Sequence, residues 1–229
     1  MSPRTPKATV EATSVAAQAP TPARRTQQER SSQAEQALLN AAATLFAQRG
    51  VDQTSLADVG GLAGYSRGLA NHHFGTKATL IERLARRTQA DFVASVDDVA
   101  TNALDALAEV TDKYLSGVEG GNEAARAFFV MWGAAIPSEA PLRPVFAVDD
   151  AQFRLRVAAT VRSGQADHTV SAEVDPELGA VMLVGLLRGV AAQYYIDPDA
   201  FDMEAARRAC QASVRRIFAP AAGRARTRK

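Results

Sequence analysis

The stretch TSLADVGGLAGYSRGLANHHFGTK, residues 54–77, holds two helix starts, a glycine turn between them and an aromatic closure. Thr54 and Ser55 can each cap a helix N-terminus, and Asp58 stands three residues after Ser55 as in a capping box. Leu56, Val59, Leu62 and Ala63 then recur at helical spacing until Gly64, which supplies the left-handed backbone that ends a helix. Ser66 is the next cap. Behind it Leu69, Ala70, His73 and Phe74 form an inner face, leaving Arg67, Gly68, Asn71 and His72 outward. Helices this short melt when isolated, so a third must support them. Leu38, Ala41, Ala42, Leu45 and Phe46 supply it upstream, and Gly50 stops it just after Gln48 and Arg49. The pattern predicts a helix-turn-helix. Gly60 and Gly61 each cost about 1 kcal/mol relative to Ala in a helix interior, which predicts a soft first helix of the motif.

The rest of the chain reads as helix. One long helix leaves the motif through Leu80, Ile81, Leu84, Phe92, Val93 and Val96. Others are predicted at 104–116, 123–135, 145–163, 176–196 and 202–218, with breaks at Gly120-Gly121, at Pro137, Pro141 and Pro144, at Gly164 and at Asp197-Pro198. No alternating strand pattern appears, so the expected class is all-α: an N-terminal three-helix unit and a larger C-terminal helical domain. The expected division is an arm at 1–30, the helix-turn-helix unit at 31–78, the helical domain at 79–219 and a basic tail at 220–229.

Composition sets the bounds. A chain of 229 residues, 47% hydrophobic and 22% charged, buries a substantial core in two lobes. The apolar run from Leu178 is broken by Arg188 and then Gln193, which predicts no membrane span, and the N-terminus lacks the apolar core of a secretory signal. The single Cys210 has no intrachain partner for a disulfide, which fits the cytoplasm. Residues 1–90 hold 11 Lys+Arg against 6 Asp+Glu, and residues 91–220 hold 11 against 19, so the positive balance sits at the front, the sign required of a surface that meets phosphates. The first thirty residues, rich in Ala, Pro, Thr and Ser, are too polar to build a core, which predicts disorder. Arg24, Arg25 and Arg30 there either enter a minor groove, brush phosphates or simply solubilise the tail.

Catalytic patterns are missing. His72 and His73 are neighbours pointing about 100° apart, unlike an i, i+4 metal pair, and His168 is isolated in a loop. The glycines between 60 and 64 lack the strand and spacing of a dinucleotide loop, and no nucleophile elbow or P-loop occurs. No catalytic residue, metal ligand or cofactor is assigned. A helical adaptor that binds only protein accounts for the helices but not for Arg67 and Lys77 beside capped helix ends.

The unit at about residues 33–77 resembles the DNA-binding domain of the TetR family of bacterial transcriptional regulators. The matching residues are LLNAAATLFAQRG at 38–50, the Thr54-Ser55 start, GYSRG at 64–68 and HHFGTK at 72–77. Two positions depart from the family: Gly60 stands where Ala is usual, and Asn71 where Tyr is frequent. The resemblance implies a dimer on a palindromic double-stranded operator. Arg67, Gly68, Leu69, Asn71 and His72 would meet base edges, and Thr54, Ser66, His73 and Lys77 would meet phosphates. An arginine at the start of the recognition helix suits guanine O6 and N7.

The C-terminal helices supply the other expectations. Leu178, Val181, Met182, Gly185 and Gly189 form one stripe, and Val214 lies on the last helix; this set is either the self-association face implied by the family or core of one subunit. Doubling the recognition helix across a two-fold axis puts half-sites about 34–36 Å apart. Phe129, Trp132 and Tyr194 are the expected lining of a pocket for an unidentified small-molecule effector. Arg188 either pairs with a carboxylate at the dimer edge or receives an acidic ligand. The expected function is a homodimeric repressor released by a ligand; the alternative is a constitutive DNA-binding dimer without a switch.

Overall fold

Thr26 opens the first helix. Its hydroxyl accepts from the Glu29 backbone N–H at 3.2 Å while the Glu29 carboxylate accepts from the Thr26 N–H at 2.8 Å, a complete capping box, and α1 (Gln27–Arg49) runs from it. The structure, a computed structural model, describes residues 26–96, 101–137 and 141–221. The expected arm at 1–30 therefore overlaps α1, in which Arg30 is helical; Arg24 and Arg25 lie outside the described residues, and so does the GRARTRK tail. The cap decided this locally, where composition averaged over thirty residues did not.

Eight more helices follow among the described residues, and no strand: α2 (Leu56–Leu62), α3 (Arg67–Phe74), α4 (Lys77–Val96), α5 (Ala103–Glu119), α6 (Glu123–Ala134), α7 (Arg143–Ala166), α8 (Pro176–Ile196) and α9 (Met203–Phe218). The all-α expectation holds. Leu38, Ala42 and Phe46 of α1, Val59 of α2, Ala70 and Phe74 of α3 and Leu80, Ile81 and Leu84 of α4 close the first core. That core does not stop at the expected boundary near residue 78. Ala127, Phe128 and Met131 of α6 and Phe146 of α7 belong to it, so the larger domain is built against the back of α1.

A second core joins Leu107 and Leu115 of α5, Val157 and Val161 of α7, Leu183 and Leu187 of α8, and Val214 and Phe218 of α9. α8 starts at the expected Asp175-Pro176 signal, the Asp175 carboxylate accepting from the Leu178 N–H at 2.8 Å. By length and composition α8 is the one described helix that is long and apolar enough to cross a bilayer. Its inner face is core, however, and Arg188 is buried in the middle of it.

Gly164 corrects the reading of glycine as a break. α7 continues through it to Ala166. A Cβ at this position would lie 2.4 Å from Val170 Cγ2 and 2.7 Å from the Ala103 Cβ, so glycine here lets the start of α5 and the loop after α7 close on the helix. We expect Gly164→Ala to cost about 1–3 kcal/mol by overpacking, read as a lowered urea midpoint. A Val170→Ala change in the same chain should recover part of it, and an unchanged midpoint for Gly164→Ala would refute the close approach.

Candidate nucleic-acid interface and interior cavity

The motif is held by side chains that look inward. Ser55 Oγ donates to the Asp58 carboxylate at 2.6 Å and its N–H donates to the same oxygen at 2.9 Å, while Arg49 pairs with that carboxylate at 2.9 Å. The Ser55 hydrogen bonds, helped by Arg49, hold the Asp58 carboxyl below its usual range. Its contribution is thus complete above the ordinary carboxylate range and is lost as pH falls through the depressed folded value.

Gly64 takes φ 77° at the turn, and the Tyr65 N–H donates to the Gly60 carbonyl at 3.0 Å. Gly60 has a packing role beside its low helix propensity. It is buried, and a Cβ there would lie 2.9 Å from the Ser66 carbonyl oxygen and 3.4 Å from the Arg67 Cα. The departure from Ala lets the N-terminus of α3 sit directly on α2. Gly61, by contrast, faces open space.

On α3, Arg67, Gly68, Asn71 and His72 are exposed and lie at i, i+1, i+4 and i+5, one face of the helix. Leu69 differs from them. It is half-buried and packed against the first core. His73 is half-buried, its ring edge-on to His72 with centroids 6.0 Å apart. Ser66 stands at the N-cap with no side-chain capping bond, so its exposed hydroxyl is uncommitted there.

Two expected phosphate ligands are turned to other work. Thr54 is 1% exposed; its hydroxyl donates to the Gly50 carbonyl at 2.9 Å and accepts from Arg49 Nε at 3.4 Å. This corrects its assignment to phosphate, because the hydroxyl is spent bracing the loop between α1 and α2. Lys77 Nζ donates to the Val51 carbonyl of the same loop at 3.1 Å, tying the first turn of α4 to it. An ammonium carries three donors, so Lys77 is a brace that keeps donors to spare for the expected phosphate.

In the larger domain, α4 to α7 line a half-open cavity of about 440 Å³ whose walls include Phe92, Tyr114, Phe128, Phe129, Phe153 and, from α8, Arg188. Of the three expected lining residues only Phe129 is there. Trp132 donates its indole N–H to Asp150 at 3.0 Å and lines a separate groove with Gly185 and Gly189, and Tyr194 packs on Phe201 with ring centroids 6.1 Å apart. Phe92 and Tyr114 were not singled out from the sequence as pocket residues, since an aromatic on an apolar helix face looks the same whether it meets core or cavity. Burial pushes the Tyr114 hydroxyl up to about 12, against the pull of Arg188.

Arg188 is 6% exposed and its Nη2 donates to Asp150 at 2.7 Å, the expected carboxylate pairing, and both residues also line the groove beside Gly185 and Gly189. Its guanidinium carbon lies 4.9 Å from the Phe128 ring centre, 5.1 Å from Trp132 and 5.7 Å from Phe129. Outside it, Leu178, Val181 and Met182 of α8 are 64%, 53% and 54% exposed, and Gly185 and Gly189 have open space where a Cβ would be. Val214 is corrected: at 1% exposed it belongs to the second core, because α9 spends its apolar stripe on the inside of the domain.

Comparison with known proteins bears on this geometry. The family model described as "Bacterial regulatory proteins, tetR family" matches residues 38–84, and the one described as "BetI-type transcriptional repressor, C-terminal" matches residues 103–219. The HTH-type transcriptional repressor KstR2 of Rhodococcus jostii (strain RHA1) is 34% identical over 71 residues, which cover 31% of this chain and 35% of that protein. The HTH-type transcriptional regulator CymR of Pseudomonas putida is 37% identical over 98 residues, covering 38% of this chain and 48% of that protein. The chain thus matches less than half the length of either curated relative. A crystal structure of a TetR-family transcriptional regulator from Rhodococcus sp. superposes with a TM-score of 0.74 at 25% identity, covering 82% of this chain and all of that one.

Thr54→Val keeps the shape but leaves the Gly50 carbonyl without its donor, and should cost about 1–2 kcal/mol. Arg67→Ala, on an exposed face, should leave the melting temperature unchanged. Equal melting of Thr54→Val and wild type would return the Thr54 hydroxyl to the DNA-facing set.

Proposed function

The chain belongs to the TetR family of bacterial transcriptional regulators, and from that premise we propose that it is a homodimeric, cytoplasmic repressor that binds a palindromic operator and is released by a small molecule held in the α4–α8 cavity. The observation that carries this reading is the course of α4. Its first half is fixed in the first core through Leu80, Ile81 and Leu84, beside the recognition helix, and Thr88, Gln89, Phe92 and Ser95 of its second half are cavity wall. A ligand that fits one tilt of α4 better than another must bias the position of α3. The reciprocal holds: operator DNA then weakens the ligand by the same factor, with couplings of about 1–3 kcal/mol usual for such switches.

The DNA-facing set supported by exposure is Arg67, Gly68, Asn71 and His72, with Ser66 and His73 at its margins and Lys77 contributing its remaining donors. α3 is two turns long and reaches only a few base pairs. A second copy across a two-fold axis is therefore needed for specificity, and the bare apolar stripe of α8 is the face that fits one. Helices approach closely where Gly185 and Gly189 leave room.

Two experiments test the proposal. In a binding-site selection followed by titration, Arg67→Ala should lose sequence preference by about 1–3 kcal/mol at its guanine while keeping most non-specific affinity; an unaltered preferred site would remove Arg67 from the readout. Leu178→Glu with Val181→Glu should give a folded monomer in sedimentation equilibrium and abolish tight operator binding. A dimer that survives both changes would place self-association on another face. If ligands stabilise the wild type yet all leave operator affinity unchanged, the protein is a constitutive DNA binder.

A further inference from the structure

The wall of the cavity holds two buried polar side chains with unpartnered atoms, on different helices. Arg188 from α8 uses Nη2 on Asp150, but its Nε and Nη1 are buried and make no hydrogen bond, although the Tyr114 hydroxyl stands near the guanidinium, and the Thr88 hydroxyl from α4 is likewise buried and unpartnered. Unmade hydrogen bonds of a buried cation are costly, and each specific orphan in a folded protein calls for an explanation. The remaining wall exposes mainly apolar surface, with the rings of Phe92, Tyr114, Phe128, Phe129 and Phe153, and carries Gln89, Asp91, Ser95, Lys113, Ser116 and Asn122 among them. A water cluster suits such a wall poorly, whereas an apolar body with one acceptor head satisfies both features at once.

Resting on the reading of this cavity as the effector site, we propose that its ligand class is an amphipathic monocarboxylate, its carboxylate received by the free N–H groups of Arg188 and its apolar body held among the five rings. Planar guanidinium donors match carboxylate oxygens, and charge-assisted hydrogen bonds strengthen where water is excluded. The charge balance leaves room for no more than a single negative charge, and it is the unmade Arg188 hydrogen bonds that favour one. Asp150 already answers part of Arg188 at 2.7 Å, burial drives the neighbouring Asp149 toward its protonated form, and Lys113 on the cavity wall is paired with Glu109 at 3.3 Å. A dianion such as a phosphate monoester would need an uncommitted cation, and both cations on the wall are already paired. Thr88 Oγ1, on the helix that reaches the recognition helix, gives the ligand a second polar hold, on α4.

The test uses the full chain without DNA. Trp132 is the only tryptophan and stands 5.1 Å from the Arg188 guanidinium, so its fluorescence reports filling of the cavity, with calorimetry as the second reading. The probes are 2-naphthoate and decanoate, each against its neutral primary amide. We expect at least one acid to bind about tenfold or more tighter than its amide, and Arg188→Gln to bring that ratio to about one. Should Arg188→Gln not fold with Asp150 left unpaired, Asp150→Asn with Arg188→Gln removes both charges at near-constant shape and should give the same loss. Amides binding as tightly as acids, acids that do not bind below millimolar concentration, or an acid preference that survives in a folded Arg188 variant would each overturn the assignment. An acid that binds as expected but leaves operator affinity unchanged would instead defeat the switch and leave this assignment standing.

Discussion

The rest of the molecule depends on α4 being one uninterrupted helix with its two halves in different surroundings. Leu80, Ile81, Leu84 and Ala85 are buried to within 1% of completely in the core that also holds α1, α2 and α3. Phe92, two turns further on, packs instead against Tyr114 and Phe153, with ring centroids 5.5 and 5.9 Å away. A close-packed core does not deform smoothly, so a rod gripped at one end moves as a body when its other end is pushed. Lys77 and its bond to the Val51 carbonyl fix the pivot, since they tie the start of the rod to the loop that positions α2.

A second route joins the same two regions, and it runs through α6. Phe128 belongs to the core shared with α1, stands edge-on to Phe146 at 5.5 Å, and its ring lies under the Arg188 guanidinium on the cavity wall. The next residue, Phe129, faces the cavity and Tyr195. Phe128 thus joins the seat of Arg188 to the core behind α1. The larger domain is not an appendage hung from α4 but a support for the back of the DNA-facing unit.

Arg188 is tolerated in that position by a specific set of neighbours. One carboxylate, three aromatic faces and the Tyr114 hydroxyl surround it. A buried ion pair seldom adds net stability over a well-packed apolar group. The residue makes better sense as a recognition group whose cost the fold carries than as a structural bolt. Its neighbour Trp132 shares Asp150 with it, so the pair is oriented from two sides.

Local signals in the sequence determined the helices and the motif. Ser55 with Asp58, Gly64, Asp175-Pro176 and the stripe from Leu38 to Phe46 act over one or two turns, and caps, left-handed glycines and helical periodicity are properties of neighbouring residues. The outward face of α3 followed from the same periodicity. Tertiary structure decided everything that depends on what lies across a gap. Gly60 and Gly164 look alike as weak helix formers until the Ser66 carbonyl and Val170 are seen against them. Thr54 and Ser66 look alike as hydroxyl caps until one is found buried on the Gly50 carbonyl and the other exposed. Phe129 and Trp132 share a helix, and only the placement of α7 and α8 puts the first on a cavity and the second on a groove outside it. An apolar side chain specifies that it is to be covered; which element covers it, or whether a space is left for a ligand or a second subunit, is fixed by the packing of distant segments.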